Sequence, residues 1–213
     1  MSQIPGPDAA RPDDPEVPAG ARPAAADETR ATDGAGDDPA APVRPRRTGT
    51  LFAIALLVYA ADQLTKVLAV ANLEPGVPQP FVGELLQLHL IRNPGAAFSL
   101  ATGMTWVFTI VAAAVVVVVV RMARRLRSGP WALALGLLLA GATGNLTDRL
   151  LRQPGFGRGH VVDFLELPNW PIFNVADSAI VAAAVLIALL GLRGINLDGT
   201  REPSRRERGR TGA

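Results

Sequence analysis

The sequence predicts an all-α polytopic membrane protein with four transmembrane helices, a small extracytoplasmic β element and a disordered N-terminal tail. Hydrophobic residues make up 49% of the 213 residues, and most of them fall in four long apolar segments. Both ends of the chain are polar, and arginines cluster beside some of the apolar segments and not others. A soluble helical bundle would show polar faces at helical spacing, which these segments lack over most of their length.

The first 49 residues are rich in proline, alanine and aspartate and poor in large apolar side chains. Such a composition cannot bury enough apolar surface to offset the entropy lost on ordering, so we predict a disordered cytoplasmic tail over 1–49. A protein-binding arm is the alternative for this segment. The segment over 1–49 is too long and too acidic to be the start of a secretory signal peptide. Ala69-Val70-Ala71 has the A-x-A form of a cleavage site, but Asp62 and Lys66 precede it, and we expect no cleavage there.

Four segments are long enough to cross the hydrocarbon layer as helices, which takes about 20 residues at a rise of about 1.5 Å each. They are residues 51–72, 99–120, 131–150 and 173–192. The valine run at 115–120 would suit a strand in water. Because only a helix satisfies its own backbone in lipid, we predict a helix there as well.

The arginines predict the orientation of the spans. Thirteen of them lie on one side of the predicted membrane, in residues 44–47, 121–127 and 193–210, and four lie on the other side. By the positive-inside rule, both termini are cytoplasmic, and loops 73–98 and 151–172 are extracytoplasmic. A basic tail could bind nucleic acid, but beside a membrane span we interpret these arginines as topology signals or contacts with anionic lipid.

The two outer loops differ in pattern. Residues 86–90 alternate apolar and polar side chains, which predicts a short strand. Residues 151–172 are rich in glycine and proline, and we interpret them as irregular and mobile.

Polar side chains within or beside the spans are expensive in lipid and therefore point to function. They lie near the outer ends of the first and third spans, at the start of the fourth and in the loop before it: Asp62, Lys66, Asn145, Asp148, Arg149, Asp163, Asn174 and Asp177. Since all of them fall at one membrane boundary, we predict a single polar site. The alternative is that Asp62–Lys66 and Asp148–Arg149 are local ion pairs that end their helices.

The four aspartates fall into two pairs. Asp62 and Asp148 each have a cation within helical reach, which favours the charged carboxylate. Asp163 and Asp177 have no cation close in sequence. If they meet at the membrane boundary, they could share one proton and act as acid and base, as in aspartic proteases.

Other chemistries fit the composition poorly. The chain has no cysteine, which excludes disulfides, thiolate metal sites and a cysteine nucleophile. Two histidines, His89 and His160, without an H-E-x-x-H motif are too few for a typical zinc site. Ser99 and His89 lie outside any nucleophile-elbow motif. We therefore expect neither a metal nor a cofactor.

Five motifs lie in order along the four spans. They are Asp62-Gln63-Leu64-Thr65-Lys66, Asn93-Pro94-Gly95-Ala96-Ala97-Phe98-Ser99, Gly141-Ala142-Thr143-Gly144-Asn145-Leu146-Thr147-Asp148-Arg149, Val161-Val162-Asp163-Phe164 and Phe173-Asn174-Val175-Ala176-Asp177-Ser178. Together they resemble the lipoprotein signal peptidases (signal peptidase II) over residues 51–192. The third motif departs from the family pattern because Ala140, and not a second glycine, precedes Gly141.

The resemblance implies an intramembrane aspartic endopeptidase of the bacterial cytoplasmic membrane. Its four-helix peptidase domain would span residues 50–193, between cytoplasmic tails over 1–49 and 194–213. It would act as a monomer on diacylglyceryl-modified prolipoproteins at the extracytoplasmic face and cleave before the lipidated cysteine. The family is also known for inhibition by the cyclic peptide globomycin.

The resemblance also implies a role for each site residue. Asp163 and Asp177 would be the catalytic pair. The residues that bind substrate would be Asn93, Asn145 and Arg149. The residues that support the site would be Asp62, Lys66, Gly95, Gly144, Asp148 and Asn174.

A small four-helix transporter or scaffold is the competing class. Its intramembrane acids would relay protons or hold partners. A transport site is expected near the bilayer midplane, whereas these acids gather at one membrane face.

Overall fold

The computed structural model describes residues 45–95 and 105–202. In chain order, the elements are α1 (Thr48–Asn72), β1 (Gln79–Val82), β2 (Leu86–Asn93), α2 (Thr105–Ala123), α3 (Gly129–Leu151), β3 (Val161–Glu166) and α4 (Val175–Leu192). The tail before residue 45, residues 96–99 of the second motif and the basic tail from residue 203 lie outside the described residues. The predicted disorder is wrong for residues 48–49, which form the first turn of α1.

The four predicted spans are confirmed as helices that are long and apolar enough to cross a membrane. Their boundaries differ from the prediction by a few residues. Helix α2 continues to Ala123, and its predicted start at residue 99 lies outside the described residues. Helix α4 begins at Val175, later than predicted, because Phe173 pairs with Leu165 of β3 and Asn174 caps the helix.

Helix α3 is the centre of the bundle and packs against each of the other three helices. Small residues on its buried face let the neighbouring backbones come close. A Cβ atom at Gly141 would collide with the carbonyl of Ala176 on α4, and one at Gly136 would lie 3.0 Å from the Cβ of Ile54 on α1. Leu57, on the outer side of α1, is 70% exposed, as expected for a side chain that faces lipid.

The three strands form an antiparallel sheet in the order β1–β2–β3. Strand β2 confirms the strand predicted at 86–90 and extends it to Asn93. The prediction that residues 151–172 are irregular is wrong for β3, which pairs with β2 so that Asp163 lies opposite Ile91. Asp163 therefore lies on a paired strand and not in a loop.

The sheet is fixed to α1 by a small hydrophobic cluster of Ala69, Leu90, Val162 and Phe164. Since side chains alternate along a strand, Asp163 lies on the opposite face of β3 from Val162 and Phe164. Packing of this apolar face against α1 thus directs the Asp163 carboxyl to the other side of the strand.

Candidate active site

Lys66 is the centre of a buried ionic group formed by Asp62, Lys66 and Asp148, called the lysine cluster below. Its Nζ lies 3.0 Å from Asp62 Oδ2 and 2.9 Å from Asp148 Oδ2, and it donates to Asn145 Oδ1 at 3.0 Å. The ammonium group has three N–H donors, and these three acceptors match them. All three residues of the cluster are 0% exposed. Because their charges are paired, they can tie α1 to α3 inside the bundle.

Asp148 has two further partners. Its carboxylate pairs with Nε of Arg152 and accepts a hydrogen bond at 3.2 Å from the backbone N–H of Val162. In residues 45–95 and 105–202, Asp148 forms no ion pair with Arg149, so the interpretation of these neighbours as a local pair is wrong. Arg152 was missed, although its spacing of four residues from Asp148 places it on the same helix face.

Asp62 connects the cluster to α4. Its Oδ1 accepts a hydrogen bond at 2.9 Å from the backbone N–H of Ala176 in the first turn of α4. Gln63 donates to Asp62 Oδ2 at 3.0 Å and was also missed from the sequence. A Cβ atom at Gly144 would lie 2.5 Å from that same oxygen. Gly144 is therefore required for α1 and α3 to approach at this depth.

Asn174 begins α4 with a capping box. Its side-chain oxygen accepts from the backbone N–H of Asp177 at 2.9 Å, and the Asp177 carboxylate accepts from the backbone N–H of Asn174 at 3.2 Å. Reciprocal bonds of this kind satisfy backbone donors that the first turn of a helix leaves unpaired. The other Asp177 oxygen accepts from Nδ2 of Asn145 at 2.7 Å. The box and Asn145 together fix the orientation of the Asp177 carboxylate.

Asp163 is held by two asparagines. Asn174 Nδ2 donates to Oδ1 at 2.6 Å, and Asn93 Nδ2 donates to Oδ2 at 2.8 Å. Asp163 is 1% exposed, and this burial raises the pKa of its carboxyl to about 6; the negative charge of Asp177 acts in the same direction, while the Asn93 hydrogen bond opposes it. Burial thus brings the pKa of Asp163 closer to neutral pH than that of an exposed aspartate.

Arg149 is buried at the end of α3, with one guanidinium nitrogen uncommitted. Within the described part of the chain, Nη1 of Arg149 is the one buried side-chain nitrogen or oxygen without a hydrogen-bond partner. The guanidinium carbon lies 5.2 Å from the centre of the Phe108 ring on α2, a cation–π distance. A buried guanidinium with an unused donor is suited to bind a carbonyl or carboxylate oxygen of a ligand.

Phe108 also contacts the second motif. Gly95 has φ +104°, and a Cβ atom there would lie 2.8 Å from the Phe108 ring. The backbone N–H of Gly95 donates to the side-chain oxygen of Asn93 at 2.8 Å. Gly95 thus permits the turn that positions Asn93 beside Asp163. Phe108 was missed from the sequence because an apolar residue in an apolar helix carries no local signal.

All the predicted site residues lie at one end of the bundle, where α1, α3, the start of α4 and the sheet meet. Among the described residues, no group of three or more histidine, aspartate or glutamate side chains is arranged to hold a metal ion. The four aspartates instead accept hydrogen bonds from lysine, arginine, amide and backbone donors. Asp163 and Asp177 both accept hydrogen bonds from Asn174, and two carboxyl groups on a common donor can act as acid and base. The unused donor of Arg149 can bind a polar backbone.

Comparison with known proteins agrees with this arrangement. The family described as signal peptidase (SPase) II matches residues 54–193. The chain is 55% identical over 185 residues to the lipoprotein signal peptidase of Rhodococcus jostii (strain RHA1), covering 84% of this chain and 93% of that protein. It is 48% identical over 186 residues to the lipoprotein signal peptidase of Mycobacterium tuberculosis (strain ATCC 25618 / H37Rv), covering 86% of this chain and 90% of that one.

Two solved structures of bacterial membrane enzymes share the fold. One superposes with a TM-score of 0.63 at 29% identity and covers 72% of this chain and 99% of its own. The other has a TM-score of 0.65 at 27% identity and covers 78% and 100%. The family match begins within α1, covers the other three helices and includes both aspartate pairs, so this bacterial multi-pass membrane protein belongs to the signal peptidase II family of proteases, the lipoprotein signal peptidases.

Proposed function

We propose that the chain is an aspartic endopeptidase whose catalytic pair is Asp163 and Asp177. The observation that carries the proposal is the position of Asn174 between the two carboxyl groups. Its side chain donates to Asp163 at 2.6 Å, and its backbone N–H donates to Asp177 at 3.2 Å. Among the described residues, neither carboxyl group forms an ion pair. Neutral amides orient the two groups without fixing either as an anion, so one proton can be shared.

In the proposed reaction, the ionised carboxylate removes a proton from a water molecule, whose oxygen attacks the scissile carbonyl carbon. The protonated carboxyl gives its proton to the carbonyl oxygen, which produces a neutral diol. Cleavage of the C–N bond is then accompanied by two proton transfers: the pair gives a proton to the amide nitrogen, and a diol hydroxyl returns a proton to the pair. The products are a carboxylic acid and an amine, and the pair again holds one proton. Burial raises the pKa of the Asp163 carboxyl to about 6, which supports a proton being held within the pair.

Substrate binding is assigned to Arg149, Asn145 and Asn93. The unpartnered Nη1 of Arg149 would donate to a substrate carbonyl beside the scissile bond. Asn145 uses one amide N–H on Asp177, which leaves a second N–H for substrate. Asn93 would line the cleft on the opposite side, where it contacts Asp163.

The substrates would be diacylglyceryl-modified prolipoproteins, cut before the lipidated cysteine. Such a substrate is anchored in the bilayer, and the site lies at the end of the bundle, where a bond at the membrane boundary can reach it. The distribution of arginines supports an orientation with this end outside the cytoplasm and both termini inside it. In this proposal, residues 50–193 work as a monomeric peptidase domain in membrane lipid, without metal or cofactor.

The proposal is tested by Asp163→Asn and Asp177→Asn in purified full-length protein supplied with a diacylglyceryl lipopeptide. Each substitution nearly conserves the side-chain volume and removes one member of the pair, so we expect the cleavage rate to fall by about 10²–10⁴-fold. The matched control is Glu84→Gln, an exposed acid-to-amide change outside the site, which should cleave at the parental rate. Near-normal cleavage by either aspartate variant, with unfolding temperature unchanged, would refute the proposal.

A further inference from the structure

A pocket lined by three arginines lies at the opposite end of the bundle from the aspartates. Its volume is about 410 Å³, and its lining includes Arg47, Arg127, Ser128, Gly129 and Arg201. Helices α1 and α3 begin at this end, and the chain leaves α4 there. We call it the arginine pocket. The catalytic proposal uses none of these residues.

The start of α3 forms one wall of the pocket. The first turn of a helix leaves backbone N–H groups without intrahelical partners and carries a partial positive charge, which attracts anions. Helix α3 has no acidic residue in its first turn to neutralise that charge. At Gly129, a side chain would meet nothing within 4 Å, so the backbone there is open to a ligand.

Ser128 supplies an independent indication of a ligand. Serine before a helix usually caps it with its hydroxyl, but Ser128 forms no side-chain cap hydrogen bond. Its residue is only 4% exposed, and no partner for its hydroxyl occurs in residues 45–95 and 105–202. The hydroxyl therefore faces the pocket as a donor without a described protein acceptor, on a residue that is otherwise buried. A donor of this kind at a pocket wall can bind a ligand or water.

Three arginines reach the pocket from three different parts of the chain, and backbone hydrogen bonds join those parts. The N–H of Arg47 donates to Leu126 at 3.0 Å, and the N–H groups of Arg127 and Ser128 both donate to the carbonyl of Leu197 at 2.9 Å. Arg201 is joined to Ile195 through an isolated antiparallel bridge. Arg47 and Arg201 form no ion pair with any described acidic residue. The positive charges are thus gathered by the fold.

We propose that the arginine pocket binds a phosphate group, of the kind that an anionic phospholipid presents at the membrane boundary. The open N–H at Gly129 and the Ser128 hydroxyl would donate to phosphate oxygens, and the arginines would neutralise the charge. Arginine forms paired hydrogen bonds to phosphate, and helix N-termini are common phosphate sites. The pocket lies where α1 and α3 begin, and a helix that spans a bilayer has its ends at the level of the headgroups, so a phospholipid is the source that the geometry favours.

The test measures the unfolding temperature of the purified full-length protein in neutral micelles with increasing dioleoyl phosphatidylglycerol. The double variant Arg127→Gln/Arg201→Gln removes two pocket arginines. The control Arg124→Gln/Arg125→Gln removes two arginines that lie in the loop of Arg127 but do not line the pocket. We expect the pocket variant to need at least about tenfold more lipid for half-maximal stabilisation, a loss of about 1.4 kcal/mol in binding free energy. The control should respond like the parent. The proposal would be overturned if phosphatidylglycerol stabilised all three proteins equally, or stabilised none of them.

A second pair of variants keeps the test decisive if the arginine variant fails to fold. Gly129→Asp would place a carboxylate in the pocket, where there is room for it, and Gly129→Asn would place a neutral side chain of the same shape. We expect Gly129→Asp to lose the lipid response and Gly129→Asn to retain most of it. The same response in both would contradict a phosphate site.

A second arm identifies the source of the phosphate. Inorganic phosphate is added in place of lipid, with sodium chloride at the same ionic strength as the reference. Stabilisation by inorganic phosphate that depends on Arg127 and Arg201 supports the site and shows that the free anion suffices. Stabilisation by phosphatidylglycerol alone, with the same dependence, supports the site and identifies the lipid as the ligand.

Discussion

The lysine cluster and the Asp163–Asp177 pair each place two aspartates at the same end of the bundle, but they hold them differently. In the cluster, Asp62 and Asp148 share the ammonium of Lys66 at 3.0 and 2.9 Å. In the pair, the carboxyl groups accept hydrogen bonds from asparagine side chains and backbone. A cation keeps a buried carboxylate charged, whereas amides leave its protonation adjustable.

Because of this difference, the lysine cluster and the Asp163–Asp177 pair have different roles. The lysine cluster is a fixed set of charges that joins α1, α3 and α4 and sets where α4 begins. The pair is adjustable because burial raises the pKa of Asp163 to about 6 and no cation lowers it by direct pairing. Asn145 and Asn174 connect the two regions, since Asn145 accepts from Lys66 and donates to Asp177.

The largest effect is expected from removing the cation of the cluster. Lys66→Met leaves Asp62 and Asp148 buried without their shared partner, and removal of one member of a buried ion pair costs about 3–5 kcal/mol. We expect a sharp fall in the unfolding temperature in detergent, together with loss of activity. The matched control is Arg152→Met, which removes the partially exposed partner of Asp148 and should destabilise the protein less. If Lys66→Met and the parent unfold at the same temperature, the lysine cluster does not stabilise the bundle as described.

The next effect concerns Arg149 and substrate binding. Arg149→Ala removes hydrogen bonds from a charged donor, worth about 1.5–3 kcal/mol, so we expect KM for the lipopeptide to rise by about 10–100-fold with a smaller change in kcat. Phe108→Leu removes the stacked ring and should raise KM in the same direction by less. Arg92→Ala, an exposed arginine on β2, is the control. A lowered unfolding temperature with unchanged KM would instead make Arg149 a structural residue.

The smallest effect is a shift in pH dependence. If Asp163 supplies the proton, kcat/KM should fall as the pH rises through the pKa of this carboxyl, about 6 in the free enzyme. Asn93 donates to the Asp163 carboxylate and so lowers its pKa. Asn93→Ala should therefore raise that pKa and move the alkaline limb to higher pH. Asn72→Ala, which removes an asparagine side chain that donates to Leu68 within α1, should leave the limb in place.

Parts of the site could be read from local spacing. Asp62 and Lys66 lie four residues apart, and the capping box of Asn174 and Asp177 follows from their spacing of three. The spans follow from their length and hydropathy. The same rule predicts the pairing of Asp148 with Arg152. Pairing of Asp148 with the adjacent Arg149 is the wrong interpretation, because neighbouring residues on a helix do not face each other.

Other parts depend on contacts distant in sequence. Asp163 lies on a strand because β2, about 70 residues earlier in the chain, offers a partner edge. The sequence of β3, VVDFLE, does not alternate apolar and polar residues, and the surrounding glycines and prolines indicate an irregular loop. Phe108 faces Arg149 only because α2 packs on α3. The third acceptor of Lys66 likewise comes from Asn145 on another helix. Such contacts carry no signal in a single sequence.

The central claim, that Asp163 and Asp177 act as one acid–base unit, is tested most directly by single-turnover cleavage with the two single Asn variants and the double variant Asp163→Asn/Asp177→Asn. Groups that act as a unit show strongly non-additive losses. We therefore expect the double variant to cleave about as slowly as the slower single variant. Losses that multiply in the double variant, with all three proteins folded, would contradict the claim and make the two aspartates independent contributors.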